Sequence, residues 1–270
     1  MRLSIDHRTT YRFTVPQGRL VQMLRLTPGN SHDQTVARWD VHVDRDARMR
    51  RGRDGFGNIV TMLYAEGPLD RIEIAVAGEV VTSHSDGVVH GVVETLAPAV
   101  FLRATDLTPV DPAIGAWATG MTGAGGARER LAGLHALNEA LHARGEVDWA
   151  HRPAGLDAGT AWRDGAATPR DLAQVFVVAA RAIGAPARYV SGYHLTDKDG
   201  EHLPAPHGWA EAHVDGLGWI GFDPCTGRCP EETYVRVAAA LDSAGAAPVA
   251  GSRLGEGEEE LDVDVSVHRA

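Results

Sequence analysis

Hydrophobic and polar residues alternate in short stretches over the first third of the chain. The alternation runs over residues 3–15, 39–43 and 72–76, and residues common in turns separate the stretches. A period of two is typical of β-strands that bury one face, and short strands about ten residues apart are typical of an antiparallel sandwich. The pattern predicts an N-terminal antiparallel β-sandwich domain over residues 1–95.

The pattern changes after residue 95, where alanine, proline, glycine and threonine become common. Leucines three or four positions apart then predict a helix over residues 127–143, because that spacing places them on one helical face. The stretch 150–167 shows no such period and is expected to be an extended loop.

A second helix is predicted to begin sharply at Thr168. Threonine suits the N-cap, Pro169 suits the first helical turn, and Asp171 completes a capping box with Thr168. Alternating residues then predict three strands, over 187–195, 208–214 and 219–223, and a closing strand near the C-terminus. The whole pattern predicts an α+β fold in which residues 96–270 form a second domain, a core closed by that last strand.

Two residues in the predicted hairpin could carry chemistry. His207 and Asp223 lie about equally far along the chain from the turn at 215–218, so they are expected at the same open end. A carboxylate beside a histidine fixes the tautomer of the ring and stabilises its charged form, as a catalytic base requires. From spacing alone, the competing interpretation is a buried structural hydrogen bond with no catalytic partner.

The charge balance narrows the classes of partner. The chain has 26 Lys and Arg against 36 Asp and Glu, a net charge of −10, which argues against nucleic acid and anionic membranes. Neither a signal peptide nor a membrane span is predicted, and two cysteines do not make a disulfide framework, so we expect a cytoplasmic protein. The histidines near residue 207 are spaced too widely along one strand to converge on an ion, so neither metal nor cofactor is expected.

Several motifs are similar to those of the bacterial transglutaminase-like proteins, in the superfamily of the transglutaminases and papain-like cysteine proteases. In the second half of the chain they are Ala187-Arg188-Tyr189-Val190-Ser191-Gly192-Tyr193, His207-Gly208-Trp209 and Gly216-Leu217-Gly218-Trp219-Ile220-Gly221-Phe222-Asp223-Pro224. In the first half they include Leu24-Arg25-Leu26-Thr27-Pro28 and Asp54-Gly55-Phe56-Gly57-Asn58, which resemble the family's N-terminal β-domain. The resemblance implies a papain-like transglutaminase core, a Cys-His-Asp triad and a peptide or protein amide group as the partner.

The resemblance places the triad on particular residues. It assigns the histidine to His207 and the aspartate to Asp223, and it places Pro169 where the nucleophilic cysteine belongs. A helix N-terminus lowers the pKa of a thiol, whereas proline offers neither a nucleophile nor an N–H for an oxyanion. The leading hypothesis is therefore a protein that has lost catalysis and keeps a binding or scaffold role.

Two other hypotheses remain open. One is an active amide hydrolase that uses Cys225, or a water activated by His207 and Asp223. The other is a structural relic without a pocket. Thr168 has a hydroxyl near the site but is expected to cap the helix, and Trp209 is expected to flank the pocket.

Overall fold

The computed structural model of the protein describes residues 1–122, 126–144, 147–148, 156–165 and 167–270. The strands of the first third are β1 (Arg2–Leu24), β2 (Gln34–Val43), β3 (Ala47–Arg53), β4 (Ile59–Thr82) and β5 (Val88–Val89). A 3-10 helix (Pro98–Leu102) precedes the helices α1 (Pro112–Met121), α2 (Ala127–His142), α3 (Ala158–Asp164) and α4 (Pro169–Ala182). The last strands are β6 (Ala187–His194), β7 (His207–Val214), β8 (Gly218–Phe222), β9 (Tyr234–Ala240), β10 (Val249–Leu254) and β11 (Glu259–Arg269).

The N-terminal strands form one curled antiparallel sheet, where the sequence predicted two sheets of a sandwich. Its order is β10-β1-β4-β2, with β11 also paired to β1 and β3 also paired to β4. The difference arises because β1 and β4 each run for more than 20 residues and pass through a register shift between Arg12 and Arg19. A bulge bends a strand, so the two halves of one sheet can enclose a core around Leu20, Leu63 and Ile74.

The second sheet has five strands in the order β5-β8-β7-β6-β9. Helix α4 packs on β6 and β7, and the other helices pack around α4. The residues of α4 from Ala173 to Ala180 are all buried, and Phe176 stacks on Phe222 of β8 at 5.0 Å between ring centroids. The fold is α+β, as the sequence predicted, and within the described residues no helix is both long enough and apolar enough to cross a membrane.

Strands from the C-terminal part complete the first sheet. β10 and β11 both pair with β1, and the β11 register runs from Leu3 opposite Arg269 to Phe13 opposite Glu259. Leu203, in the loop before β7, exchanges two backbone hydrogen bonds with Val265 of β11. Backbone hydrogen bonds therefore connect the loop before His207 to the first sheet.

Several elements were not predicted, among them helices α1 and α3 and strands β3, β5, β9 and β10. Asp111 caps α1 by accepting from two backbone N–H groups, and Pro112 is the first residue of the helix. The stretch expected as an extended loop contains α3, which Asp157 caps and which ends at Gly165 with φ of +76°. Residues 150–155 and 166 of that expected loop lie outside the described residues. Strand β9 was also missed, because its alanine-rich end shows no alternation.

A buried ion network connects the linker between the sheets to the second sheet. Arg188 on β6 donates to Glu211 on β7 at 2.6 Å and to both oxygens of Glu94 at 2.8 Å. Arg236 on β9 donates to Glu211 at 2.7 Å. The two arginine charges hold the pKa of Glu211 at about 2, although burial by itself would raise it.

Candidate functional site

His207 and Asp223 are hydrogen-bonded at one end of the β7–β8 hairpin. His207 is the first residue of β7, Asp223 directly follows β8, and the distance from Nε2 to Oδ2 is 2.8 Å. Both side chains are buried, with 2% and 0% of their surface exposed. An ionised carboxylate can only accept, so the Nε2–H of His207 donates and the tautomer of the ring is set. The sequence predicted this proximity, and the structure confirms it.

Asp223 is also surrounded by other donors. The hydroxyl of Tyr234 donates to Oδ2 at 2.8 Å, and the backbone N–H of Cys225 donates to Oδ1 at 2.9 Å. Burial opposes ionisation of this carboxyl group, but the charge of His207 and the hydrogen bonds from His207 and Tyr234 outweigh it and hold the pKa of Asp223 below its usual range. Asp223 is therefore ionised, and both of its carboxylate oxygens accept hydrogen bonds.

Aromatic rings hold the imidazole of His207 in place. His194 lies 5.1 Å from the His207 ring and stacks on Tyr234 at 4.0 Å between centroids. Burial, and then the charge of His207, lower the pKa of His194 to about 3, and its buried Nδ1 has no hydrogen-bond partner in the described part of the chain. Trp209 packs beside His207 at 6.1 Å in a small core with Tyr234, away from the cavity where the sequence analysis expected it.

Helix α4 begins at Pro169 with the capping box that the sequence predicted. The Thr168 hydroxyl accepts from the backbone N–H of Asp171 at 3.2 Å, and the Asp171 carboxylate accepts from the backbone N–H of Thr168 at 3.1 Å. The N–H of Leu172 donates to the carbonyl of Thr168 at 3.0 Å. The helix therefore uses these donors for its own cap, and Pro169 has none to add.

Pro169 and His207 line the same cavity, and Thr168 lies beside them in its wall. The cavity has a volume of about 230 Å³ and lies between the first sheet, the start of α4 and the loops that lead into β7 and β10. Its walls include Tyr11 of β1 and Val263 of β11. The structure thus brings the position assigned to the nucleophile and the assigned base to one partly open cavity.

Cys225 lies beside the pair but outside that wall. Its sulfur lies within 4.8 Å of a ring nitrogen of His207 and of a carboxylate oxygen of Asp223. Burial, and then the negative charge of Asp223, raise the pKa of the Cys225 thiol far above its ordinary value. Within the described residues these three side chains are the set close enough to hold a cation, although Asp223 is already hydrogen-bonded to His207 and Tyr234.

Sequence reasoning did not find Tyr234 or His194 as parts of the site. Tyr234 begins β9, eleven residues beyond Asp223, and the sequence carries no motif that couples the two. His194 ends β6, and β6 lies between β7 and β9 in the sheet, an order that the sequence does not reveal. A prediction of the strand order would have placed both rings beside His207.

Comparisons with known proteins agree with this geometry. The family model of the bacterial transglutaminase-like N-terminal region matches residues 3–81, and that of the transglutaminase-like superfamily matches residues 116–224. An uncharacterized protein of Mycobacterium leprae is 27% identical over 99% of both chains. An uncharacterized protein of Mycobacterium tuberculosis is 26% identical over 98% of this chain and 91% of its own length.

A solved structure shows the same fold. The crystal structure of a candidate cysteine protease from Cytophaga hutchinsonii aligns with a TM-score of 0.73 and 18% sequence identity. The alignment covers 100% of this chain and 91% of that protein. The two family matches together span more than half of the chain, one on the first sheet and one on the region that carries the site. This chain therefore belongs to the transglutaminase-like superfamily and carries the bacterial transglutaminase-like N-terminal region.

Proposed function

We propose that this protein binds a peptide or protein segment beside His207 and does not form an acyl-thioester with it. The observation that carries the proposal is Pro169, which begins α4 in the wall of the cavity that His207 also lines. In the family the resemblance places a cysteine thiol at this position. Proline has no nucleophilic atom, so the His207–Asp223 pair has no thiol to activate there.

The loss of the backbone N–H adds to the loss of the thiol. Backbone N–H groups at a helix start can stabilise an oxyanion, but Pro169 has none and the cap uses those of Thr168 and Asp171. Members of a catalytic triad act as a unit, so removal of the nucleophile removes most of the rate even when base and aspartate remain. What remains is a partly open cavity with a mostly apolar lining, which suits binding.

One observation favours a second candidate, an amide hydrolase that uses Cys225. Its sulfur lies within 4.8 Å of a His207 ring nitrogen. The thiol is buried, does not line the cavity and has a raised pKa, so it is poorly suited to attack a ligand held there. A water activated by His207 is the other form of this candidate.

The test measures turnover and binding on the same protein. The substrate is a blocked pentapeptide, N-acetyl-Gly-Gly-Gln-Gly-Gly-amide, given alone for hydrolysis and with a primary amine for transfer, while calorimetry follows its binding. We expect saturable binding without release of ammonia or formation of a new amide. Turnover that Cys225→Ala abolishes would establish the cysteine hydrolase instead. Turnover that survives Cys225→Ala but not His207→Ala would establish the water mechanism, and absence of binding would leave only a structural relic.

A further inference from the structure

The cavity beside Pro169 and His207 has a mostly apolar lining. Prolines, alanines and aliphatic side chains from five separate parts of the chain meet in it, among them Leu107, Leu203, Pro248, Leu261 and Val263. Among the described lining residues Arg170 carries the one permanent charge, and its Nε lies 3.4 Å from the Asp171 carboxylate. The wall therefore offers little to a charged ligand, since a buried charge needs a partner of opposite sign.

Several polar groups of the lining already have partners inside the protein. The Nδ1 of His7 lies 2.9 Å from the Tyr193 hydroxyl, and its Nε2 lies 3.0 Å from the Thr9 hydroxyl. The Ser243 hydroxyl donates to Gln174 at 2.8 Å. Burial lowers the pKa of His7 to about 4, so its ring is neutral at neutral pH. These groups line the cavity, but their hydrogen bonds are already made within the protein and do not require a ligand.

Three hydroxyl groups of the lining are different. Those of Tyr11, Tyr189 and Ser191 have no hydrogen-bond partner among the described residues. Hydroxyl groups donate and accept without charge, so they suit the N–H and C=O of an amide. An apolar wall with a few uncharged polar groups is typical of a site that binds a neutral ligand and fixes its orientation.

The size of the cavity limits the apolar part of that ligand. An apolar cavity of about 150 Å³ is large enough to bind benzene. The present cavity measures about 230 Å³, which is enough for a phenyl ring with its methylene group. Ligands with a long aliphatic chain would not fit within it completely.

We propose that the cavity is a recognition pocket for an uncharged aromatic or large aliphatic side chain of a peptide, and that the first sheet determines this selectivity. The inference rests on the proposed function and adds the class of peptide. The first sheet supplies part of the cavity wall through Tyr11 on β1 and through Leu261 and Val263 on β11. These strands are distant in sequence from the helix and hairpin residues that form the rest of the wall. Because β-strand side chains alternate, Asp262 lies on the other face of β11 and provides a matched control.

The experiment uses the whole protein and blocked pentapeptides based on N-acetyl-Gly-Gly-Gln-Gly-Gly-amide. One glycine at a time is replaced by Phe, Lys or Glu, and calorimetry gives each affinity. At one position or more, Phe should tighten binding about tenfold or more relative to Lys and Glu, as expected for burial of a large apolar side chain. Val263→Phe, which fills the cavity, should remove that preference, whereas Asp262→Ala should change neither the preference nor the affinity of the all-glycine parent.

A second variant keeps the test decisive if Val263→Phe does not fold. Leu261 is 39% exposed, so Leu261→Lys is expected to be tolerated, and it should weaken the Phe peptide while it favours the Glu peptide. Equal affinities for Phe, Lys and Glu peptides, or a Phe preference untouched by both variants, would overturn the inference and leave the proposed function standing. Failure of every peptide to bind would overturn both, and toluene binding that Val263→Phe abolishes would then show that the cavity exists but takes no peptide.

Discussion

Tyr234 and His207 donate to the same oxygen of Asp223, and each donor atom lies 2.8 Å from Oδ2. His207 therefore shares the Asp223 carboxylate with the hydroxyl group of Tyr234, the first residue of β9. The Thr226 hydroxyl also donates to Oδ2, at 3.2 Å. His194 stacks on the Tyr234 ring and lies 5.1 Å from the His207 ring, so aromatic contacts also hold the tyrosine and the histidine. The arrangement holds the His207 ring in the cavity that Pro169 also lines, the position to which the family resemblance assigns the nucleophile.

Tyr234→Phe should lower the free energy of unfolding by about 1.5–3 kcal/mol at pH 7, because it removes one hydrogen bond to a buried carboxylate. It should also raise the pKa of Asp223, since the hydrogen bond stabilises the charged form. Urea unfolding measures the first effect. Tyr64→Phe is the matched control, because Tyr64 on β4 has no side-chain hydrogen bond among the described residues, and an equal loss in both variants would contradict the prediction.

Pro169→Cys should create a reactive thiol beside His207. The capping box of Thr168 and Asp171 remains, so the helix should still form, and the helix N-terminus and a neighbouring imidazolium both favour a thiolate. Iodoacetamide labelling as a function of pH should give a pKa below the ordinary value of about 8.5.

The wild-type protein provides a low background for that labelling. Burial raises the pKa of both native cysteines, that of Cys229 to about 11, and a nearby acidic residue adds to the effect at each. Cys225 and Cys229 should therefore react slowly in the folded protein. A Pro169→Cys variant that labels no faster than wild type would show that the helix start no longer activates a thiol.

The stability of the protein should fall as the pH drops below about 6.5, partly because of His7. The folded protein keeps this ring neutral with a pKa of about 4, whereas the unfolded chain takes up a proton at its ordinary pKa of 6.5. The stabilisation is thus complete above pH 6.5 and is lost as the pH falls towards 4. His7→Gln should reduce the slope of unfolding free energy against pH by up to about 1.4 kcal/mol per pH unit.

Denaturant unfolding at several pH values between 4 and 7 checks this prediction. His194 behaves in the same direction, because its pKa is lowered to about 3 by burial and by His207, so the slope should fall and not vanish. His42→Gln on the exposed face of β2 serves as the control. An unchanged slope in the His7→Gln variant would show that the His7 ring has the same pKa in the folded and unfolded protein.

Glu211→Gln should destabilise the protein by about 3–5 kcal/mol, because it leaves the charges of two arginines without their shared carboxylate in the interior. Arg188 is 3% exposed, and Glu94 is the one ionic partner that it would keep among the described residues. Thermal and urea unfolding of the Glu211→Gln variant measure this loss of stability. Glu66→Gln, at an exposed position on β4, is the control. A loss no larger than in the control would mean that the arginines find new acceptors.

The hairpin that holds His207 and Asp223 could be predicted because its signals are local. The turn at 215–218 fixes which residues pair, and the structure pairs Val214 with Gly218 and Ala210 with Phe222. The start of α4 was predictable for the same reason, since threonine, proline and aspartate each act on the adjacent backbone. Local chemistry therefore located the pair and the helix that begins at Pro169.

Features that depend on distant contacts could not be predicted in this way. Tyr234 reaches Asp223 from β9, which lies beyond β6 in the sheet, and the sequence pattern does not encode that strand order. The continuity of β1 through Pro16 could not be predicted, because Pro-Gln-Gly is also a common turn sequence. The curl of the first sheet depends on where β10 and β11 add to β1, at a separation of more than 200 residues.

That separation has a consequence for how the protein is made. The wall of the cavity takes Tyr11 from near the start of the chain and Val263 from near its end, and Leu203 before His207 bonds to β11. During synthesis β1 can pair with β4 early, but its other side in that region stays unpaired until β11 leaves the ribosome. Until then the pocket is open on one side and its apolar residues face water, so a nascent chain stalled before residue 259 would hold the His207 loop without its anchor.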